Sequence, residues 1–285
     1  MDGKAGSLCT RLAGFLRQAG LENPRLEAEE LAAHVLHKDR LFLKVHPEYS
    51  VSEEELAELD ALIQRRSQGE PLAYLTGRRE FYDRTFLVEP GVLIPRPETE
   101  LVIDNVLDMS CELYGRDKPL VFCDMAAGSG CIGITLKLEQ PSWQGILVEK
   151  MPAPLACAQK NAQSLGAEVS LLQGDLFAPP LEERSLDILV SNPPYIGRKE
   201  LSDVAGNVLA YEPHEALFAE EDGLAALSAV ARAGARLLKK GGILAMEHGW
   251  MQGEAVRNML KECGYSNFFT KKDLAGLDRV GIACL

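Results

Sequence analysis

A glycine-rich loop between a strand-like run and a helical run restricts the fold of this chain more than any other feature. The strand-like residues 121–124 lead into a loop at residues 125–133, where Gly128, Gly130 and Gly133 have the G-x-G-x-x-G spacing. Loops of this kind follow a strand of a parallel sheet, and their glycines let a ligand approach the backbone at the start of the next helix. The pattern therefore predicts an α/β domain with a ligand site at this loop.

The chain on either side of the loop alternates between strand-like and helical patterns. Six strand-like runs stand out, at residues 120–124, 145–149, 169–173, 186–191, 242–247 and 280–284. Such alternation predicts a largely parallel sheet with helices on both faces. A β-hairpin is predicted ahead of it, from residues 79–82 and 85–88. We therefore assign residues 97–285 to a catalytic α/β domain and residues 76–96 to a hairpin and linker.

Residues 1–75 have a purely helical pattern and carry no catalytic motif. Asn23 followed by Pro24 is typical of a helix start, and Ser52 with Glu55 has the spacing of a capping box. Apolar residues recur at helical spacing after both positions. We predict that this region is a small helical bundle that docks or positions a substrate.

Composition restricts the classes of function. The 285 residues include 30 Lys and Arg against 42 Asp and Glu, a formal net charge of −12, whereas domains that follow a nucleic-acid backbone are usually basic. The 7 cysteines form no CxxC motif and no metal-type pairing with the 5 histidines, which predicts reduced thiols and no metal site. The sequence has no export signal and no long apolar run, so we expect a cytoplasmic protein without membrane contact.

Two carboxylates near the loop bear on the choice between two ligand classes. Glu149 ends the next predicted strand, where a carboxylate is placed to accept hydrogen bonds from ribose hydroxyls. The loop and Glu149 alone fit NAD and S-adenosylmethionine almost equally. Asp124, directly before the loop, would repel a pyrophosphate but attract the sulfonium and ammonium groups of S-adenosylmethionine. Asp124 therefore favours S-adenosylmethionine.

A second motif, Asn192-Pro193-Pro194-Tyr195, follows the strand predicted at residues 186–191. Ligands of open α/β sheets bind beyond the carboxyl ends of the strands, so this motif and the loop are expected to line one crevice. The NH2 group of an amide or a base is a poor nucleophile, because its lone pair is delocalised. The Asn192 side-chain oxygen and the Pro193 carbonyl are suited to accept its two N–H groups, and the Tyr195 ring to stack on its plane. Catalysis would then consist of orientation and stabilisation of charge growing on nitrogen.

Together with further motifs, the chain resembles the HemK/PrmC family of protein-(glutamine-N5) methyltransferases, which modify peptide chain release factors. The motifs that carry the resemblance are YLTG at 74–77, REFY at 79–82, LIPRPETE at 93–100, NPPY at 192–195, EP at 212–213, EHG at 247–249 and DLAG at 273–276. NPPY alone is shared with nucleic-acid amino-methyltransferases, whereas the combination is highly specific. The resemblance implies a Rossmann-like class I S-adenosylmethionine-dependent methyltransferase domain, with a mostly parallel seven-stranded sheet, a small N-terminal helical bundle and a connecting β-hairpin.

The resemblance also implies roles for individual residues toward the cofactor S-adenosyl-L-methionine, whose product is S-adenosyl-L-homocysteine. The loop would hold the methionine part through Asp124, Met125, Ala126, Ala127, Gly128 and Gly130. Glu149 would hold the ribose, Asp175 and Leu176 would flank the adenine, and Asn192 would also touch the cofactor. The substrate glutamine would be received by Asn192, Pro193, Pro194 and Tyr195, of which Asn192, Pro193 and Tyr195 are the implied catalytic residues.

Two positions depart from the family pattern, since Ala126 stands where Gly is usual and Glu149 where Asp is usual. A methyl group at position 126 is expected to crowd the ligand if the backbone there has a positive φ. Glu149 keeps the pair of acceptor oxygens on a side chain one methylene longer.

The leading hypothesis is methylation of the side-chain amide nitrogen (N5) of the glutamine in the Gly-Gly-Gln motif of a release factor. One alternative is N-methylation of a nucleic-acid base, which the acidic charge and the lack of a basic recognition domain oppose. Another is a non-catalytic protein that retains the fold, motivated by Ala126 and Glu149. We expect a release factor as partner, no stable nucleic-acid binding and a monomer, although the sequence leaves the oligomeric state and the choice of release factor open.

Overall fold

A computed structural model describes residues 4–202 and 204–285, and the chain divides between Arg78 and Arg79 into two compact units. The first unit contains five helices in its described part, α1 (Ala5–Gln18), α2 (Pro24–Val35), α3 (Arg40–Val45), α4 (Glu53–Ser67) and α5 (Leu72–Thr76). Leucines at helical spacing, among them Leu12, Leu31 and Leu59, form its own buried core. Residues 1–3 of the predicted helical region lie outside the described residues.

The helix starts of the first unit follow the sequence signals. Ser52 accepts a hydrogen bond from the Glu55 backbone N–H, and the Glu55 carboxylate accepts one from the Ser52 N–H, which completes the predicted capping box. Asn23 is the N-cap of α2, with Pro24 at its first position. The short helices α3 and α5 have too few turns to show a periodic pattern in the sequence.

A hairpin of β1 (Arg78–Phe81) and β2 (Arg84–Leu87) starts at the last residue of the first unit and otherwise belongs to the second. A 3₁₀ turn at Pro97–Thr99 then leads into α6 (Glu100–Tyr114). The main domain then alternates as predicted. Its elements are β3 (Val121–Met125), α7 (Cys131–Glu139), β4 (Gln144–Glu149), α8 (Pro152–Leu165), β5 (Val169–Gln173), β6 (Leu186–Ser191), α9 (Gly206–Tyr211), α10 (His214–Leu217), α11 (Leu224–Leu237), β7 (Leu238–Glu247), α12 (Gly253–Glu262), β8 (Ser266–Lys272) and β9 (Asp278–Cys284). A second 3₁₀ turn lies at Arg198–Glu200.

Seven strands form one sheet in the order β5-β4-β3-β6-β7-β9-β8. The first five of these strands are parallel to one another, and β9 is antiparallel to both β7 and β8. Successive side chains of the central strands face opposite layers, so Phe122 packs with α6 and α7 whereas Cys123 packs with α11 and α12. The predicted Rossmann-like α/β fold, with its N-terminal helices and its hairpin, is confirmed.

The six strand-like runs of the sequence correspond to β3–β7 and β9. The seventh strand, β8, has the sequence SNFFTKK and lies at the edge of the sheet, where most of its side chains are exposed or half-buried. Because so many of its residues are polar, β8 has no strand-like apolar pattern in the sequence. β7 also begins earlier than predicted. Its first residues include two lysines and two glycines, which do not form a strand-like apolar pattern.

Candidate active site

The register of the central strands places the two main sequence motifs side by side. Met125, the last residue of β3, pairs with Ser191, the last residue of β6, and the Ser191 hydroxyl donates a hydrogen bond of 2.6 Å to the Met125 carbonyl. Met125 also pairs with Val148, so β4 ends at Glu149 on the same edge. The glycine loop, Glu149 and the Asn192–Tyr195 segment therefore begin at neighbouring points of one sheet edge, as predicted from the topology rule.

The backbone of the glycine loop adopts left-handed conformations at several residues. Gly128 has a φ of +56°, and a Cβ built on it would meet no atom within 4 Å, so the space above it is open. Gly133 has a different role, because a Cβ there would lie 2.7 Å from Leu147 Cδ1 and 3.0 Å from Asp124 Cβ. Ala126 has a φ of +59°. This conformation is unfavourable for any residue that has a Cβ atom. The backbone of Ala126 therefore has the positive φ at which its methyl group is expected to crowd the ligand.

Asp124 lies beneath the loop and is fully buried. Its Oδ2 accepts a hydrogen bond of 2.8 Å from the backbone N–H of Gly133 in the first turn of α7, so the carboxylate caps that helix. Its Oδ1 is buried and has no hydrogen-bond partner among residues 4–202 and 204–285. Burial raises the pKa of Asp124 to about 7; the Gly133 hydrogen bond opposes this rise, and the Glu149 carboxylate adds to it. The sequence predicted that Asp124 attracts the cationic groups of the cofactor, and the structure gives it the additional role of joining loop and helix.

Glu149 is fixed by two backbone groups. Its Oε2 accepts a hydrogen bond from Gly128 N–H and its Oε1 one from Met151 N–H, both at 2.8 Å. Each carboxylate oxygen still has a lone pair for a further donor. Glu149 therefore holds the loop in shape, and its predicted contact to ribose hydroxyls is compatible with this geometry.

The segment predicted to flank the adenine follows β5. Asp175 forms an ion pair of 2.9 Å with Lys150 and accepts a hydrogen bond from the Phe177 N–H, and these contacts lower its pKa below the usual value. Leu176 is half-buried and packs against the core, whereas the Phe177 side chain is 61% exposed. The sequence named Asp175 and Leu176 for the adenine and did not single out Phe177.

The Asn192–Tyr195 segment is tied to two residues that sequence reasoning did not single out, Thr99 and Glu247. The Asn192 Nδ2 group donates to the Thr99 hydroxyl at 3.1 Å, and the Thr99 hydroxyl donates to Glu247 Oε2 at 2.6 Å. The Tyr195 hydroxyl donates to Glu247 Oε1 at 2.9 Å. Thr99 belongs to the LIPRPETE motif and Glu247 to the EHG motif, so the signal was present in the sequence as part of the family resemblance.

Burial dominates the electrostatics of this cluster. It raises the pKa of Glu247, while the hydrogen bonds from Thr99 and Tyr195 and the charge of Arg279 act in the opposite direction. The pKa of Tyr195 is also raised, first by burial and then by the neighbouring Glu247. Tyr195 thus remains a neutral hydroxyl donor. The Tyr195 carbonyl in turn accepts a hydrogen bond of 2.8 Å from Gln252, which fixes the end of the motif.

A cavity of about 120 Å³ opens beside this segment. Its lining combines polar groups at one end with apolar side chains and comprises Leu93, Arg96, Asn192, Pro193, Tyr195, Ile196, Val208, Ala216, Leu217 and Glu247. Arg96 is ion-paired with Glu212, whose other oxygen accepts a hydrogen bond from Ile94 N–H, so the LIPRPETE and EP segments are joined beside it. A larger depression of about 560 Å³ lies on the first unit, but none of the motif residues line it.

Two oxygen atoms at the cavity remain available as acceptors. Within the part of the chain that the structure describes, no donor is hydrogen-bonded to Asn192 Oδ1 or to the Pro193 carbonyl. These are the two acceptors that the sequence assigned to a substrate NH2 group. Pro194 lies between them and Tyr195 and is half-buried.

The site has the chemical groups that S-adenosylmethionine requires. Asp124 and Glu149 supply carboxylates for a ligand with two cationic groups and a ribose. Asp124 Oδ1 has no hydrogen-bond partner in the described part of the chain, and the space next to the Gly128 backbone is open. In the described residues, no group of three or more His, Cys, Asp or Glu side chains is arranged to hold a metal ion. Among the same residues, no helix is both long enough and apolar enough to cross a membrane.

Comparisons with known proteins also indicate a methyltransferase. The family model described as PrmC N-terminal domain matches residues 7–77, and the one described as Methyltransferase small domain matches residues 112–231. The release factor glutamine methyltransferase of Bordetella pertussis is 42% identical over 272 residues, which cover 95% of this chain and 98% of that protein. The protein of the same name from Geobacter sulfurreducens is 39% identical and covers 94% of this chain and 92% of its own length.

Solved structures support the fold. The T. thermophilus 16S rRNA N2 G1207 methyltransferase, in complex with AdoMet and guanosine, superposes with a TM-score of 0.53 over 73% of this chain and 49% of that chain. The two sequences are 19% identical, so the likeness concerns the fold alone.

Proposed function

Because this chain belongs to the family of release factor glutamine methyltransferases, we propose that it methylates the side-chain amide nitrogen (N5) of the glutamine in the Gly-Gly-Gln motif of a peptide chain release factor. It is an S-adenosyl-L-methionine-dependent enzyme, and S-adenosyl-L-homocysteine is the product of the cofactor. The observation that carries the proposal is the pair of acceptors, Asn192 Oδ1 and the Pro193 carbonyl, on two residues that line a cavity and follow the strand next to the one that leads into the glycine loop. Two acceptors match the two N–H groups of a primary amide.

The bound cofactor supplies an electrophilic methyl group. Asn192 and Pro193 each accept one N–H of the glutamine amide, which turns the nitrogen lone pair toward that methyl group. The new C–N bond would form as the methyl–sulfur bond breaks and S-adenosyl-L-homocysteine leaves, and the same two oxygens stabilise the positive charge that grows on the nitrogen. The amide proton becomes acidic at this stage and leaves to solvent, so the site needs no strong general base. Leu93, Ile196 and Val208 supply the apolar part of the cavity lining beside the amide.

In our proposal the cofactor lies along the sheet edge from β3 to β5. The loop Asp124, Met125, Ala126, Ala127, Gly128 and Gly130 holds the methionine part. Glu149 accepts the ribose hydroxyls, and Asp175 and Leu176 flank the adenine. This arrangement is supported by the shared edge at which β3, β4 and β6 end.

The decisive experiment offers the protein a release factor and total nucleic acid together with labelled S-adenosylmethionine. We expect the label in the Gly-Gly-Gln peptide of the factor. Label in nucleic acid would instead support base methylation, and a protein that neither transfers label nor binds the cofactor would support the non-catalytic alternative.

Asn192→Ala tests the orientation mechanism in the same assay. Loss of one acceptor should lower turnover by about 10²-fold or more, since orientation and charge stabilisation both depend on it. Affinity for S-adenosylmethionine, measured by calorimetry, should change much less. Near-normal turnover of Asn192→Ala would exclude the mechanism.

We further propose that the protein acts in the cytoplasm as a monomer and forms no stable complex with nucleic acid. A release factor as substrate supports action in the cytoplasm. The net charge of −12 supports the absence of a stable complex with nucleic acid. Light scattering after size-exclusion chromatography, with and without RNA, measures both the oligomeric state and the complex.

A further inference from the structure

The buried carboxylate of Glu247 has both oxygens occupied by hydroxyl groups. Glu247 ends β7 and is 1% exposed, and Thr99, on the 3₁₀ turn before α6, is also 1% exposed. The Thr99 hydroxyl donates to Oε2 at 2.6 Å, within the range of a hydrogen bond to a charged oxygen, and Tyr195 donates to Oε1 at 2.9 Å. Glu247 therefore acts as an acceptor toward both neighbours.

The direction of these bonds determines how Asn192 is oriented. A threonine hydroxyl has one proton, and Thr99 gives it to Glu247, so Thr99 has only a lone pair for Asn192. Asn192 must then turn its NH2 group toward Thr99 and its Oδ1 away from it. The two ends of an asparagine amide are nearly identical in shape, and their assignment rests on the hydrogen-bond network. With Glu247 ionised, so that it only accepts hydrogen bonds, the network has one consistent solution.

We propose that Glu247 and Thr99 are positioning residues that set which end of the Asn192 amide faces the substrate. This inference rests on the proposed function, because it gives the glutamine its acceptor. With Oδ1 presented, the site accepts an NH2 group and disfavours the carboxylate of a glutamate. With the amide reversed, it would present a donor, and the selectivity between glutamine and glutamate would be lost.

A double-mutant cycle tests whether Thr99 acts through Asn192. Thr99→Val keeps the shape and removes the hydroxyl, and it should lower kcat by about 10-fold or more while KM and cofactor affinity stay within about 2-fold. Thr99→Ser should restore most of the activity. In an Asn192→Ala background, Thr99→Val should have almost no further effect, because coupled residues are not additive. Equal losses in both backgrounds would refute the inference.

Thr135 provides a matched control. Its hydroxyl is buried on α7 and has no hydrogen-bond partner among the described residues. Thr135→Val makes the same chemical change in a buried helix but should leave kcat and KM unchanged. A loss of activity in Thr135→Val equal to that in Thr99→Val would show that the assay reports on packing alone, and the inference would be overturned.

A second measurement does not depend on the substrate. The side-chain NH2 signals of Asn192 in an ¹⁵N–¹H spectrum can be identified by their loss in Asn192→Ala. They should shift in Thr99→Val and in Glu247→Gln and stay in place in Thr99→Ser. Unchanged signals in both of the first two variants would overturn the inference, even if a failure to methylate release factors had separately refuted the proposed function.

Discussion

At the scale of single residues, Ala126 carries a strain that a substitution can release. Its φ of +59° places a Cβ in the left-handed region, which costs about 1–2 kcal/mol, whereas glycine pays no such cost but gains freedom in the unfolded chain. We expect Ala126→Gly to raise the free energy of unfolding by about 0.5–1 kcal/mol, measured by urea denaturation. Ala127→Gly, at a neighbouring position outside the left-handed region, should lower it. A loss of stability in both variants would show that Ala126 is not strained.

Glu149 is predicted to bind ribose and, in addition, holds the loop through Gly128 and Met151. Glu149→Ala should weaken binding of S-adenosylmethionine by about 1.5–3 kcal/mol, the usual worth of hydrogen bonds to a charged group. Calorimetry with S-adenosylhomocysteine and its 2′-deoxy analogue separates the two roles. The wild type should prefer the hydroxylated ligand and Glu149→Ala should not. If the wild type binds both ligands alike, Glu149 does not contact that hydroxyl.

The residues that sequence reasoning found and those that it missed differ in one respect. Asp124 and Glu149 lie at the ends of strands and Asn192 directly follows one, so the sheet topology alone brings them to one edge. Thr99, 93 residues before Asn192, contacts it directly, and Glu247, 55 residues after Asn192, is linked to it through Thr99. Their contact depends on the packing of a 3₁₀ turn against the sheet, which no local pattern encodes.

At the scale of elements, the cap of α7 by Asp124 links helix formation to ligand binding. Because the pKa of Asp124 is raised to about 7, the carboxyl group is largely neutral at pH 6 and largely ionised at pH 8. Only the ionised form attracts the cationic groups of S-adenosylmethionine, so we expect affinity to increase as pH rises through about 7. Calorimetric titrations over this range measure the effect.

Asp124→Asn is the control for this pH dependence. The amide oxygen still accepts from Gly133 and keeps the cap, but the side chain no longer titrates. Affinity of the variant should be lower at pH 8 and nearly independent of pH. In the ligand-free wild type the sign is opposite, since a raised carboxyl pKa lowers folding stability as pH rises through about 7. Parallel pH profiles of binding for both proteins would contradict the assignment.

The elements themselves were predictable where burial imposed a pattern. The parallel strands β3 to β6 are apolar because helices cover both faces, and their bounds were predicted within one residue. The edge strand β8 is polar and was missed, and the short helices α3 and α5 were missed because neither has two full turns. Sequence patterns thus find the elements that the core requires and lose those that face solvent.

At the scale of the whole molecule, the two units have separate hydrophobic cores. The buried cluster of the first unit draws only on residues 5–75, and the clusters of the second unit begin at Phe81. All of the predicted cofactor and substrate residues lie in the second unit. The chemistry, which belongs to the second unit, is therefore separable from the folding of the first unit.

This separation leads to a prediction about docking. A glutamine side chain offers little surface for recognition, so selectivity for a whole release factor must come from contacts remote from the reacting nitrogen. We expect that a chain without residues 1–77 binds S-adenosylmethionine within a few-fold of normal, because its cofactor groups are intact. Its KM for an intact release factor should rise sharply, whereas its activity on a short Gly-Gly-Gln peptide should change little. Steady-state kinetics on both substrates measure the difference, and equal efficiency of the truncated and full chains on the intact factor would reduce the first unit to a stabilising appendage.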